Sequence, residues 1–214
     1  MSSPEGTLVS KVFPIPFGPD AATSSPVAAT LTLLRKAGIV LEGSALVAVC
    51  AHIALPLYFT PVPLTLQTLA VLLLGLLLSP RMAAGTLGVY LAEGALGLPV
   101  FAPGPLGSAG FAHLIGPTGG YLLAYPMAAA LTSFLWRRMT WNAGRGFTGA
   151  AISAAIGSLP IMALGAVWLA VLTHASAQSI LTIAVLPFLP GDALKVISAA
   201  ALAAGFVRLR RRIG

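Results

Sequence analysis

Two opposite charges stand where a long apolar run begins. Asp192 and Lys195 follow Pro187-Phe188-Leu189-Pro190-Gly191 and head a stretch that stays apolar to Val207. Three positions apart on a helix, an acid and a base share one face. The carboxylate accepts hydrogen bonds and the ammonium donates them, so the pair suits a polar solute that offers both. Ionisable groups within a membrane are costly and face a protein interior or a watery cavity. The same residues fit a second reading, with Asp192 as an N-cap or first-turn acid and Lys195 reaching for the interface. Further polar groups in apolar surroundings are Gln67, Glu93 and Thr118, and Tyr90, Phe101 and Tyr121 are rings close to them in sequence. Gln67 lies just after a proline break, where it serves either a solute or the freed backbone groups of the break. No Lys or Arg lies within seven residues of Glu93. Glu93 must therefore be protonated, paired across helices, or open to a cavity or the outer rim.

Little else in the chain carries chemistry. Cys50 is the single cysteine and the His residues are scattered, so there is no metal-ligand spacing and no intrachain disulfide. No nucleophile stands at a base's spacing, and no GxxxxGK[ST] phosphate loop is present. The expectation is a chain with no catalytic residue, no metal and no cofactor, which argues against an intramembrane enzyme.

The elements that hold these residues must be membrane helices. The chain of 214 residues is 57% hydrophobic and 8% charged, and its mean hydropathy is +0.95. Soluble domains carry about 25% charged residues, so this chain is an integral membrane protein. A net charge of +7 in a soluble protein would point to nucleic acid. Here the placing of the charges points to membrane orientation instead, and no nucleic-acid partner is expected.

The pattern predicts an all-α polytopic fold with six transmembrane helices. Residues 1–40 read as an N-terminal tail, poorly ordered over 1–25 and with a possible interfacial helix over 26–41. Residues 41–209 form the membrane domain and 210–214 a basic end. The spans fall near residues 43–58, 66–78, 82–98, 118–136, 149–172 and 192–207. Pro61 and Pro63 exclude a regular helix over Thr60-Pro61-Val62-Pro63-Leu64-Thr65. That segment is expected to dip into the protein as irregular backbone. Residues 99–117 carry no Asp, Glu, Lys or Arg, yet hold Phe101, Phe111, His113 and Ile115. They read as a lid folded back over the bundle. Residues 179–189 are apolar but too short to cross, and suit a surface helix.

Lys and Arg set the orientation. Lys11, Arg35 and Lys36 precede the first span, and Arg81 lies between the second and third. Arg137, Arg138 and Arg145 lie between the fourth and fifth, and Arg208, Arg210, Arg211 and Arg212 close the chain. Both termini are thus expected in the cytoplasm. The proline break, the lid, Gln67, Glu93 and the Asp192/Lys195 pair then converge on one outward mouth.

Four segments resemble one family. They are Thr60-Pro61-Val62-Pro63-Leu64-Thr65-Leu66-Gln67-Thr68, Gly94-Ala95-Leu96-Gly97-Leu98-Pro99-Val100-Phe101, Gly116-Pro117-Thr118-Gly119-Gly120-Tyr121, and Pro187-Phe188-Leu189-Pro190-Gly191-Asp192-Ala193-Leu194-Lys195. In this order, over about residues 43–207, they resemble BioY, the biotin-binding S component of energy-coupling factor (ECF) transporters. The resemblance implies the six-helix S-component fold in a prokaryotic cell membrane, and capture of biotin from outside. It implies as partners a transmembrane coupling protein and a pair of cytoplasmic ATPases. It carries the family's acid and base onto Asp192 and Lys195. Biotin would then place its ureido N–H groups on Asp192, with Lys195 on the ureido carbonyl or the carboxylate. Glu93 or Gln67 would be a further ureido partner. Tyr90, Phe101 and Tyr121 would pack the apolar parts, and Lys195, loop amides or Thr118 would take the carboxylate. The alternative is a self-sufficient secondary transporter, although the two interrupted helices such a protein needs do not fall at matching positions.

Overall fold

A computed structural model describes residues 26–104, 107–143 and 146–213. Lys11, Arg145 and the tail read over residues 1–25 lie outside them, as do the side chains of Arg210, Arg211 and Arg212. Residues 37–214 make one compact unit, which holds the helix bundle.

Helix α1 runs from Pro26 to His52 without a break, so the boundary at 40/41 falls inside a helix. The same helix stops six residues short of the expected end at Tyr58. Pro56 explains the early stop, because it cannot donate to the carbonyl of His52 and disfavours helical backbone just before it. The chain instead forms β1 (Ala54–Leu55), which pairs antiparallel with β2 (Leu64–Thr65) in the register Ala54↔Thr65. The proline-rich arm between them is not solvated throughout. Thr60, Val62 and Thr65 are buried, as irregular backbone at membrane depth requires.

Helix α2 (Gln67–Leu77) has 11 residues, about 16 Å at the helical rise, and the inward-folded arm makes up the depth it lacks. Helix α3 (Pro80–Ala95) opens with proline at its first turn, where the missing N–H costs nothing. The lid follows, with the four-residue helix α4 (Ala112–Ile115) inside it. Helix α5 (Gly119–Ala143) and helix α6 (Phe147–Thr173) make the most extensive helix–helix seam. Two glycines allow their close approach: a Cβ at Gly157 would overlap Thr132, and one at Gly165 would overlap the Tyr121 ring.

Helix α6 is apolar enough to cross a membrane, yet only 28% of its most apolar window is buried in the protein. Such a helix faces lipid, not a soluble core. Helix α7 (Ala177–Ile180) runs into a π-helical turn, Leu181–Val185, and then into helix α8 (Leu189–Ile213). These segments form one apolar path bent by 46°. The surface helix expected over residues 179–189 is therefore partly sunk into the bundle, with Ile180, Ala184 and Phe188 buried. Two apolar cores result. One joins α1, α2, α3, α5 and α6 with the lid. The other packs Leu72, Leu76 and Trp136 against the small residues Ala199, Ala200 and Ala203 of α8.

Candidate functional site

Helix α8 starts three residues before Asp192, so Asp192 is a first-turn acid and not the N-cap. Lys195 is one turn further on and is buried, with 8% of its surface exposed. Both line a cavity of about 330 Å³, within the range of about 300–1,000 Å³ usual for small-molecule sites. Ser158 of α6 and Lys195 both lie near the Asp192 carboxylate. Lys195 is buried and Asp192 half-buried, and charges drawn out of water need polar partners to offset their desolvation.

The remaining walls come from distant parts of the chain. The arm supplies Pro61, Val62, Pro63 and Thr65, and α2 supplies Gln67 and Thr68. The lid supplies Phe101, Ala102, Pro103, Gly104 and His113. Thr118, Tyr121, Leu122 and Tyr125 come from the lid's end and α5, and Ile161 and Met162 from α6. Most of this lining is apolar or aromatic, with polar groups gathered at a few points.

The lid is held shut by hydrogen bonds and by one ring. The Gly110 N–H donates to the Gly94 carbonyl at 2.7 Å, and Gly110 sits at φ +97°, a conformation that favours glycine. The Phe101 ring is fully buried. It sits edge-on to Tyr90 at 5.6 Å and against His113 at 5.2 Å. Gly94 lies directly beneath it, and a Cβ there would overlap the ring. At the lid's far end the Trp168 indole donates to the Gly116 carbonyl at 2.9 Å.

A polar network stands behind the arm. The Gln67 amide donates to the Tyr90 hydroxyl at 2.7 Å, which donates to the Val100 carbonyl of the lid at 2.9 Å. The Gln67 carbonyl accepts from Thr65 at 3.0 Å and from Tyr125 at 3.4 Å. Gln67 therefore lines the cavity with most of its bonding capacity already engaged by side chains. Its side-chain bonds among the described residues run to the side chains of Thr65, Tyr90 and Tyr125. Tyr121 donates to the Ala184 carbonyl at 3.0 Å, fixing α5 to the π-helical turn.

Of the eight residues singled out from the sequence, Asp192, Lys195, Gln67, Phe101, Thr118 and Tyr121 line the cavity. Tyr90 and Glu93 are not among its lining residues. Tyr90 is fully buried behind Phe101, and Glu93 accepts a hydrogen bond from Ser44 of α1. That hydrogen bond crosses from α1 to α3, and Glu93 itself is half-buried. Sequence reasoning passed over Thr68, Tyr125, Ser158 and the cavity position of His113. Thr68 and Tyr125 had a usable signal, since each lies within a few residues of a marked one. Ser158 had none, because serine is common in apolar helices.

Comparison with known proteins gives a consistent result. The model of the BioY family matches residues 22–212. A probable biotin transporter BioY of Pyrococcus horikoshii is 38% identical over 143 residues, covering 67% of this chain and 79% of that protein. The biotin transporter BioY2 of Lactococcus lactis subsp. cremoris is 32% identical over 166 residues, covering 78% and 86%. The biotin transporter BioY of Thermotoga maritima is 34% identical over 173 residues, covering 79% and 92%. A crystal structure of the S-component for biotin from an ECF-type ABC transporter superposes with a TM-score of 0.75 at 26% identity. It covers 85% of this chain and 93% of that one.

Proposed function

The chain belongs to the BioY family, and from that premise we propose that the cavity under the lid captures biotin, with Asp192 and Lys195 holding its ureido ring. The protein is a biotin-binding S component of an ECF-type transporter, a membrane protein and not an enzyme. The observation that carries the site assignment is the pair on α8. Asp192 and Lys195, one helical turn apart, enter a cavity whose other walls are mostly apolar. A ureido ring presents two N–H donors beside one carbonyl acceptor, which matches a carboxylate next to an ammonium. Phe101, Tyr121, Leu122 and Ile161 give the thiophane ring and valeryl chain an apolar bed.

Helices α1, α2, α3, α5, α6 and α8 are the six passes in this reading, and the chain is a multi-pass protein of a prokaryotic membrane. Both ends lie in the cytoplasm. Arg81 in the first turn of α3, Arg137 and Arg138 near the end of α5, and Arg208 near the end of α8 all fall on that side. The arm and the lid then face outward. The chain has no phosphate-binding loop, so a transmembrane coupling protein and a pair of cytoplasmic ATPases supply the energy for release inward.

Binding to the purified protein tests the assignment, with biotin, desthiobiotin and thiamine compared on wild type and Asp192→Asn. A buried hydrogen bond to a charged group contributes about 1.5–3 kcal/mol, so Asp192→Asn weakens biotin roughly tenfold or more. Thiamine competing as well as biotin would remove the substrate assignment. Unchanged affinity in Asp192→Asn would remove the role of the pair.

A further inference from the structure

Two buried side-chain atoms without a hydrogen-bond partner are found among the described residues, Thr68 Oγ1 and His113 Nε2. Both residues line the cavity. Buried polar groups are almost always paired, and an unpaired one is costly. Their concentration at this one cavity, and not in the helix seams, marks them as waiting for a partner that comes and goes. Thr68 stands on α2, next to Gln67. His113 stands on α4 of the lid, and α4 packs on α3 and α5, whereas Asp192 and Lys195 enter from α8. Only 5% of the His113 surface is exposed.

The proposed ligand has two polar ends. If the ureido ring occupies the α8 pair, the carboxylate at the end of the valeryl chain remains to be met, and no Lys or Arg lies in the lid. We infer that His113 is the lid donor that binds the biotin carboxylate and so sets preference for the free acid. This rests on the biotin reading of the cavity. An imidazole N–H to a carboxylate is a charge-assisted bond, stronger than one to a neutral group. The bond also ties the ligand to the lid through the Phe101–His113 contact, so an acid closes the lid on itself better than a neutral analogue does.

The experiment compares biotin with biotinol, in which a hydroxymethyl group replaces the carboxylate, on wild type, His113→Leu and His113→Gln. Wild type should prefer biotin by about tenfold. His113→Leu should bring the two ligands within about threefold of each other, chiefly by weakening biotin. His113→Gln keeps an N–H donor near the same place and should retain most of the preference. A preference unchanged in His113→Leu overturns the inference and leaves the carboxylate to Lys195 or loop amides. Equal weakening of both ligands also overturns it, because His113 would then only pack the lid. If biotin fails to bind wild type, the biotin reading itself is lost. That outcome is distinct from both of the others. Melting temperatures of the variants separate a loss of binding from a loss of folding.

Discussion

Gly94→Ala is the smallest change that should open the binding site from behind. The new methyl group would overlap the tip of the Phe101 ring, whose Cζ, Cε1 and Cε2 are its nearest neighbours. Ordinary carbon contacts sit at roughly 3.5–4.0 Å, so the ring must retreat by on the order of 1 Å to restore them. It has little room, because Tyr90 and His113 hold its sides. Nor can α3 withdraw freely, since the Gly94 carbonyl accepts the Gly110 N–H of the lid. Overpacking of this kind costs about 1–3 kcal/mol. The strain falls on the closed lid, and Phe101 forms part of the cavity wall. Biotin binding should therefore weaken by roughly 5- to 150-fold, measured by titration calorimetry on detergent-purified protein. Phe101→Leu in the Gly94→Ala background shortens the obstructing side chain and should recover part of the loss. Wild-type affinity in Gly94→Ala, within about twofold, would refute the claim that the lid rests on this glycine.

Two further outcomes follow from the same structure. Glu93→Ala removes the acceptor for the buried Ser44 hydroxyl and should lower the detergent melting temperature by roughly 3–10 °C. Its biotin affinity should stay within about threefold, and a large affinity loss at unchanged melting would make Glu93 a ligand contact after all. Biotin uptake should require the coupling protein and both ATPases, measured as accumulation of labelled biotin in a host with and without them. Full accumulation in their absence would favour the self-sufficient transporter.

The sequence by itself settled the class of protein and marked most of the cavity. With 8% charged residues, the chain has no water-facing surface to offer, and that follows from composition alone. The charges of Asp192 and Lys195 are conspicuous because everything around them is apolar. The prolines at 61 and 63 announce irregular backbone wherever they stand. All of these are local signals, carried by a residue and its near neighbours. Pro56 was a local signal too, and it ended α1 earlier than the hydropathy of the segment implied.

What only the tertiary structure decided were contacts between residues far apart in the chain. Glu93 meets Ser44 across 49 positions, and Tyr121 meets Ala184 across 63. Tyr90 and Glu93, three apart on α3, were both marked for the solute. The fold turned one behind Phe101 and the other toward α1. The helical period tells which residues share a face, but not which neighbour that face meets. Likewise His113 reads in the sequence as one ring in an uncharged loop. Its unpaired nitrogen becomes visible only once the lid closes over the cavity, because hydrogen-bond satisfaction belongs to the whole packed environment and not to any segment of it.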